Sequence, residues 1–365
     1  MKACRGAGAS LTNTVTEGVR FMKTETFVLN QERNVSLTAY VLDVGGEFRN
    51  VTKRPGVIII PGGGYQFCSD READPVALTY LKAGFDAFVL RYSVGEHAVW
   101  PNPLRDYDAA MAFVLSKAEE WNLMPDKIAV VGFSAGGHLA AAAATMAERR
   151  PAAAVLGYPV IREDTVHECE KTAPGIVPYV DEKTCPCFIF ATRTDDVVPI
   201  QNTLDMLEAL NRYQTAFECH IYAYGPHGFS TADSSIQSTS TIMAPRIPKW
   251  TEDSIGWLKD VLGEFAENGL SAPVCKPHLT ADSDGWLSLD CTIGRIFGNP
   301  KALQVLASVV CEMREKIEPF EPGMTFEDMM GILSKMTLRN LLAERGIAIE
   351  RFDELDEQLG KIPNI

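Results

Sequence analysis

The 365-residue sequence lacks any run of about eighteen or more apolar residues, and residues 1–20 lack the apolar core of a secretory signal peptide. We therefore expect no membrane-spanning segment and a cytoplasmic protein. The sequence also lacks a basic block, and its 48 acidic and 34 basic residues give a formal net charge of −14. This charge argues against nucleic acid or an anionic membrane as a partner, and it favours an uncharged substrate.

Patterns of metal-binding and paired cysteine residues are also missing. The six histidines and nine cysteines are scattered, and none has the H-E-x-x-H or C-x-x-C spacing of zinc and redox sites. Cys185 and Cys187 are separated only by a proline, which is too close for either pattern. We expect reduced thiols, and we predict neither a metal nor a cofactor.

Residues 127–146 are typical of a strand, a sharp turn and a helix in direct succession. The apolar, β-branched run at 128–131 predicts a strand buried on both faces, and 135–146 consists almost entirely of helix-forming residues. Between them, residues 132–136 match G-x-S-x-G, in which glycines permit a tight turn that exposes the serine hydroxyl above a sheet. The pattern predicts Ser134 as a nucleophile, and the alternative is an ordinary turn with a bystander serine.

Apolar strands alternate with helical segments on both sides of this unit. Strands are predicted at 57–60, 87–90, 154–156, 187–191 and 217–222, and helices at 75–83, 104–121, 202–213 and 254–265. Alternation of this kind predicts a mostly parallel sheet with helices on both faces. The period of two between Thr24 and Val44 predicts antiparallel strands at one edge.

Composition divides the chain into three parts. Residues 1–21 are rich in glycine, serine, threonine and asparagine and are predicted to be a disordered lead-in, with Met1 and Met22 both open as the start. Residues 22–267 are predicted to form the α/β domain. Residues 268–365 begin with a linker rich in proline, serine, aspartate and glycine, and continue as helices at 302–316, 326–336 and 338–345. We expect this small helical region to serve packing or association, with substrate binding as the alternative.

A serine hydroxyl needs a histidine to accept its proton and a carboxylate to hold that histidine in the correct tautomer. Asp195 and Asp196 follow the predicted strand 187–191, and His227 follows the strand 217–222 in a loop between proline and glycine. These loops lie at carboxyl ends of parallel strands, where such sheets place their sites. Either aspartate fits the pattern, and one of them could instead cap a helix. The alternative for His227 is a surface histidine.

A glycine-rich loop follows the strand 57–60. Residues 61–65 read Pro-Gly-Gly-Gly-Tyr, which supplies backbone N–H groups for the oxyanion of a tetrahedral intermediate. We expect the N–H groups of Gly63 or Gly64 to act beside that of Ala135. A phosphate-binding loop is the rival interpretation, but no G-K-S/T follows and the spacing does not suit a dinucleotide.

These motifs resemble those of the α/β-hydrolase esterases, specifically small bacterial carbohydrate esterases similar to bifunctional acetyl and feruloyl esterases. The similarity covers about residues 24–266. It rests on seven segments: PGGGY at 61–65, SDREADPVA at 69–77, FVLRYSV at 88–94, GFSAGGHLAA at 132–141, LGYPVI at 156–161, DDVVP at 195–199 and HGFS at 227–230.

The resemblance implies a catalytic triad of Ser134, Asp195 and His227. It favours Asp195 over Asp196 because the family acid precedes an x-Val-Val-Pro run, and it implies an oxyanion hole made by Gly63, Gly64 and Ala135. The family often has histidine where Ala191 stands, and this departure lies outside the triad.

The resemblance further implies a serine carboxylic-ester hydrolase that removes acetyl groups from acetylated sugars or from xylan- or mannan-derived oligosaccharides. A small-molecule or oligosaccharide ester is thus the expected partner, and Tyr65, Tyr92 and Trp100 are candidate sugar-binding platforms, with core packing as the alternative for each. The rival functions are a serine peptidase, a short-chain lipase or lysophospholipase-like esterase, and a non-catalytic binding protein. The glycan, the choice between acetyl and feruloyl groups, and a homo-oligomeric state remain open.

Overall fold

Eight strands form the central sheet of the computed structural model, which describes residues 22–266, 269–282, 284–316, 323–346 and 351–364. The strands are β1 Met22–Asn30, β2 Val35–Leu42, β3 Arg54–Ile60, β4 Asp86–Arg91, β5 Leu123–Phe133, β6 Ala153–Gly157, β7 Cys187–Thr192 and β8 Phe217–Tyr222. Their order across the sheet is β1-β2-β4-β3-β5-β6-β7-β8. Strand β2 pairs antiparallel with β1 and β4, and all other pairs are parallel. The predicted mostly parallel sheet with antiparallel strands at one edge is confirmed.

Helices connect the strands and cover both faces of the sheet. In the α/β part they are α1 Asp74–Lys82, α2 Asn102–Ser116, α3 Ser134–Met146, α4 Glu163–Val166, α5 Gln201–Arg212 and α6 Trp250–Leu262. Alternate side chains of β3 enter opposite cores: Ile58 and Ile60 pack with residues of α2, α3 and α5, whereas Val57 and Ile59 pack with residues of α1 and α6. Among the residues that the structure describes, every helix is too short or too polar to cross a bilayer.

Four predicted helices differ from the structure by more than two residues, and one of them, predicted at 326–336, ends at Ile332. Helix α2 ends at Ser116 and not at residue 121, because the chain turns after Lys117 and buries Trp121 against Phe27 and Phe88. Helix α6 begins at Trp250 and not at residue 254, directly after a 3-10 turn that contains a proline. The helix predicted at 302–316 is broken at Leu306 into two shorter helices.

The C-terminal part has its own elements. A two-stranded ribbon, β9 Phe265–Ala266 and β10 Gly269–Leu270, precedes helices α7 Ile293–Phe297, α8 Pro300–Val305, α9 Ala307–Lys316, α10 Phe326–Ile332, α11 Leu338–Glu344 and α12 Phe352–Leu359. Sequence patterns missed α7 and α12, which are short. These helices pack around a separate apolar core that contains Leu289, Ile293 and Leu341.

The segment between the two cores lies against the α/β domain. The amide of Ala216 donates to the carbonyl of Pro277 at 2.8 Å, and the amide of Cys275 donates to the carbonyl of Asp260 at 2.9 Å. The predicted boundary of the α/β domain near residue 268 thus lies before the segment up to Pro277, which is hydrogen-bonded to the α/β domain beside β8. The predicted lead-in at 1–21 lies outside the described residues.

Candidate active site

The chain turns directly from β5, which ends at Phe133, into α3, which begins at Ser134. The φ angle of Ser134 is +53°, in the left-handed region that residues other than glycine seldom adopt. The surrounding packing holds this turn. A Cβ atom on Gly136 would lie 2.3 Å from the carbonyl oxygens of Ile60 and Pro61, so only glycine fits between the helix and the sheet. The side chain of Ser134 is thereby presented at the carboxyl edge of the sheet.

Ser134, His227 and Asp195 form one chain of hydrogen bonds. The Oγ atom of Ser134 lies 2.9 Å from Nε2 of His227, and Nδ1 of His227 lies 2.7 Å from Oδ2 of Asp195. An ionised carboxylate only accepts hydrogen bonds, so Nδ1 donates and Nε2 is left to accept the serine proton. The side chains of His227 and Asp195 are 15% and 1% exposed, and the bond between them is therefore shielded from water. This arrangement can generate a serine nucleophile.

The loop after β7 distinguishes the two neighbouring aspartates. The second oxygen of Asp195, Oδ1, accepts hydrogen bonds from the amides of Val197 at 2.9 Å and Val198 at 2.8 Å, which fixes the plane of the carboxylate. Asp196 is exposed and lines a separate surface depression that does not include His227. The alternative in which Asp196 caps the next helix is not observed, because the side chain makes no capping hydrogen bond at the start of α5.

The glycine loop after β3 lies beside the serine. Gly63 has φ +129°, and a Cβ atom there would lie 2.1 Å from the carbonyl oxygen of Phe67. Among the described residues, no acceptor is bonded to the amides of Gly63, Gly64 and Ala135. Gly63, Gly64, Ser134 and His227 line a single pocket of about 230 Å³. Free amides of this loop and of the α3 N-terminus thus adjoin the pocket in which a substrate carbonyl would lie.

The outer wall of this pocket comes from a short insertion after β6. The pocket is lined there by Thr165, Glu168 and Cys169, together with Val197 and Val198 of the loop after β7. The insertion contains only the single-turn helix α4 and a 3-10 turn, so it covers the pocket incompletely. A larger apolar groove of about 700 Å³ lies between α7, α9 and α10 of the C-terminal part, and it contains no serine, histidine and carboxylate in mutual contact.

Two of the predicted sugar platforms are not surface residues, and this prediction is wrong. Tyr65 is 0% exposed and Tyr92 is 1% exposed, so neither ring has a face on which a sugar could stack. Both instead support the glycine loop, since the hydroxyl of Tyr92 donates to the carbonyl of Pro61 at 2.9 Å and the hydroxyl of Tyr65 bonds His138. Trp100 is partly exposed, but it packs against His138 and is not among the residues that line the pocket.

His138 is a buried histidine whose hydrogen bonds fix its tautomer. Its Nε2 atom lies 2.8 Å from the carbonyl oxygen of Pro174 and must donate, which leaves Nδ1 to accept from the hydroxyl of Tyr65 at 2.7 Å. Burial lowers the pKa of His138 to about 4, so the ring is neutral at neutral pH. His138 thereby ties the glycine loop to the insertion that covers the pocket. Ala191 is buried in the core and does not line the pocket.

Sequence reasoning assigned no role to Glu72 and Tyr158, which the structure places next to the triad. Glu72 lines the pocket, and the ring of Tyr158 packs edge-on against the ring of His227 with centroids 5.0 Å apart. Burial raises the pKa of both groups, of Glu72 above its usual range and of Tyr158 well above 10. Both residues lie in segments that carry the family resemblance, but nothing in the sequence shows that they meet.

Comparison with known proteins finds the same fold in solved structures. An α/β-hydrolase enzyme, MGS-M1, from a Medee basin deep-sea metagenome library superposes with a TM-score of 0.62 and is 43% identical, covering 66% of this chain and 98% of the other. An acetyl ester-xyloside bifunctional hydrolase from Caldicellulosiruptor lactoaceticus superposes with a TM-score of 0.56 and is 29% identical, covering 65% and 96%.

Sequence comparison finds related esterases. The family model described as BD-FAE matches residues 42–171. An acetylxylan esterase from Xylanibacter ruminicola is 29% identical over 195 residues, which is 47% of this chain and 40% of that protein. The chain spans well under two thirds of the length of the curated relatives that it matches.

Proposed function

The chain belongs to the α/β-hydrolase family, and on that basis we propose that it is a serine esterase that removes acetyl groups from acetylated sugars or from xylan- or mannan-derived oligosaccharides. The observation that carries this proposal is the hydrogen-bonded chain from Ser134 through His227 to Asp195, beside free amides of the glycine loop. Family membership alone does not give an activity, because one fold supports many.

The reaction follows from this geometry. Ser134 Oγ attacks the ester carbonyl as its proton passes to His227 Nε2, and Asp195 stabilises the imidazolium that forms. Amides of Gly63, Gly64 and Ala135 donate to the oxyanion of the tetrahedral intermediate. The intermediate collapses when the alcohol leaves with the proton of His227, which gives an acetyl-enzyme. Water, deprotonated by His227, then attacks the acetyl-enzyme, and His227 returns the proton to Ser134 Oγ as acetate leaves.

The size of the pocket supports a small acyl group. Its volume of about 230 Å³ lies below the roughly 300–1,000 Å³ typical of pockets that enclose drug-sized ligands. The incomplete cover leaves the alcohol side of the ester open to solvent, which suits a hydroxyl on a larger sugar. Two of the similar proteins, an acetylxylan esterase and an acetyl ester-xyloside bifunctional hydrolase, act on this substrate class according to their names.

A comparison of three substrate classes tests the proposal. We expect p-nitrophenyl acetate to be hydrolysed with a much higher kcat/KM than p-nitrophenyl octanoate, because a small pocket offers little apolar wall to a long acyl chain. We expect no cleavage of aminoacyl anilides, the substrates of a peptidase. The Ser134→Ala variant, which retains the fold but loses the nucleophile, should be inactive in every assay.

Preference for octanoate would favour a lipase, and anilide cleavage would favour a peptidase. A second assay identifies the sugar: acetylated xylo- and manno-oligosaccharides are incubated with the wild type or with Ser134→Ala, and loss of acetyl groups is followed by mass spectrometry. Deacetylation by the wild type alone is the expected result, and unchanged oligosaccharides of both kinds would contradict the sugar assignment.

A further inference from the structure

Glu72 is a buried carboxylate directly behind the glycine loop. Glu72 is only 3% exposed, and it forms no salt bridge with another described residue. Its Oε2 atom accepts from the amide of Gly62 at 2.9 Å, and its Oε1 atom accepts from the hydroxyl of Tyr158 at 2.5 Å. Burying a carboxyl group that has no ion-pair partner is costly, and a position of this kind points to a functional role.

Tyr158 extends the connection to the loop that carries His227. Its hydroxyl accepts from the amide of Ser230 at 3.0 Å while it donates to Glu72. Tyr158 has φ +35° and Ser230 has φ +51°, so both backbones are held in an unfavourable region by their surroundings. The carbonyl of Ser230 is fixed in turn by the indole N–H of Trp250 at 2.9 Å.

The hydrogen bonds therefore form a continuous path from Gly62 through Glu72 and Tyr158 to Ser230. This path joins three loops. The loop after β3 carries the free amides, the loop after β6 carries Tyr158, and the loop after β8 carries His227. Gly63 and Gly64 have no side chains through which they could be held, so the bond of Gly62 to Glu72 is an anchor for the amides that follow.

We propose that Glu72 is a positioning residue for the esterase reaction, which sets the distance between the glycine-loop amides and His227 through its bonds to Gly62 and Tyr158. This inference rests on the proposed function. A carboxylate suits the role because it accepts from both donors, whereas glutamine would direct an NH₂ group at one of them. Donors to an oxyanion act in the transition state, so their displacement lowers kcat and leaves KM nearly unchanged.

The test compares Glu72→Gln, Tyr158→Phe and the double variant with the wild type on p-nitrophenyl acetate. A displacement of the order of 1 Å costs roughly 10²-fold in rate, so we expect kcat to fall about 10- to 100-fold in each single variant, with KM within about twofold. Because both residues act through one path, the loss in the double variant should be smaller than the product of the two single losses.

The chain offers a matched control at Asp74. Its Oδ1 atom accepts from the hydroxyl of Tyr40 at 2.5 Å, which is the same kind of tyrosine–carboxylate contact at the first residue of α1, and neither partner lines the pocket. Asp74→Asn should retain kcat within about twofold, as expected for a contact away from the reacting atoms. A trifluoromethyl ketone, which forms a tetrahedral adduct, should bind Glu72→Gln more weakly by the factor lost in kcat.

The outcomes separate the two proposals. An active wild type whose kcat and ketone affinity are unchanged in Glu72→Gln and Tyr158→Phe, or changed no more than in Asp74→Asn, would overturn the role of Glu72 and leave the esterase function intact. A wild type without esterase activity would overturn both. If Glu72→Gln does not fold, Tyr158→Phe decides: loss of kcat at constant KM in a variant with the wild-type circular dichroism spectrum supports the inference, and unchanged kcat overturns it.

Discussion

The Oδ2 atom of Asp195 lies 2.7 Å from the Nδ1 atom of His227, while the adjacent Asp196 is exposed to solvent. We expect Asp195→Asn to lower kcat by on the order of 10⁴, because an amide retains the shape but loses the charge that stabilises the imidazolium. Asp196→Asn should change the free energy of unfolding by no more than about 0.5 kcal/mol and leave kcat nearly unchanged. Steady-state kinetics of both variants check this, and a large loss at Asp196 with a mild one at Asp195 would refute the assignment.

Asp86 predicts a pH-dependent stability that is independent of the site. Asp86 is 0% exposed. Its Oδ1 atom accepts a hydrogen bond from the amide of Leu42, and its Oδ2 atom has no hydrogen-bond partner among the described residues. Burial raises the pKa of Asp86 from 3.8 to about 7. Since the folded state favours the protonated form, the stability that it contributes is complete below pH 3.8 and is lost as the pH rises through 7.

We therefore expect Asp86→Asn to be more stable than the wild type at pH 8, by at most about 4 kcal/mol given about 1.4 kcal/mol per pKa unit. The difference should shrink towards pH 4, where the wild-type carboxyl group is protonated in the folded state and partly protonated in the unfolded state. Urea unfolding at pH 4, 6 and 8 measures it. A difference that is constant across this range would show that Asp86 does not titrate as its burial requires.

His138 should have the opposite effect on stability. Its pKa in the folded state is about 4, below the ordinary 6.5, so its contribution is fully present above pH 6.5 and is lost as the pH falls through 4. Between pH 7 and 4.5 the wild type should lose about 2–3 kcal/mol more free energy of unfolding than His138→Gln, which has no titrating group there. Equal losses in the two proteins, measured by urea unfolding, would contradict a neutral buried His138.

The C-terminal helices have a separate core, and this predicts where the chain can be shortened. The segment up to Pro277 is bonded to Ala216 next to the sheet edge, so a chain that ends at residue 280 should fold and hydrolyse p-nitrophenyl acetate with a kcat near that of the full chain. A chain that ends at residue 268 loses these bonds and should bind a dye for apolar surfaces. Failure of the longer form to fold would show that the helices complete the α/β core.

Local patterns were sufficient for the parts of the site that one short segment determines. The turn at Ser134 depends on glycines within two residues of it, and the strand–helix alternation places His227 and Asp195 at the carboxyl ends of parallel strands. The choice between Asp195 and Asp196 required the family resemblance, because both residues are aspartates and both positions lie in the same loop.

The remaining parts depend on contacts between distant segments. Tyr65 and Tyr92 have the composition of a sugar platform, but long-range packing buries their rings beneath the glycine loop. Glu72 meets Tyr158 across 86 positions of the chain, which no periodicity in the sequence reveals. Trp121 fits the helical pattern of α2 in the sequence, yet it lies outside the helix because its ring packs against Phe27, Phe88 and Phe113.

Trapping of the acyl-enzyme tests the central claim most directly. The wild type, Ser134→Ala and His227→Ala are mixed with p-nitrophenyl acetate, quenched in acid within one turnover, and analysed by intact mass and peptide mapping. We predict one acetyl group per wild-type chain on Ser134, none on Ser134→Ala, and slow acetylation of His227→Ala. An acetyl group on another residue, or hydrolysis by Ser134→Ala at the wild-type rate, would contradict a mechanism that depends on Ser134.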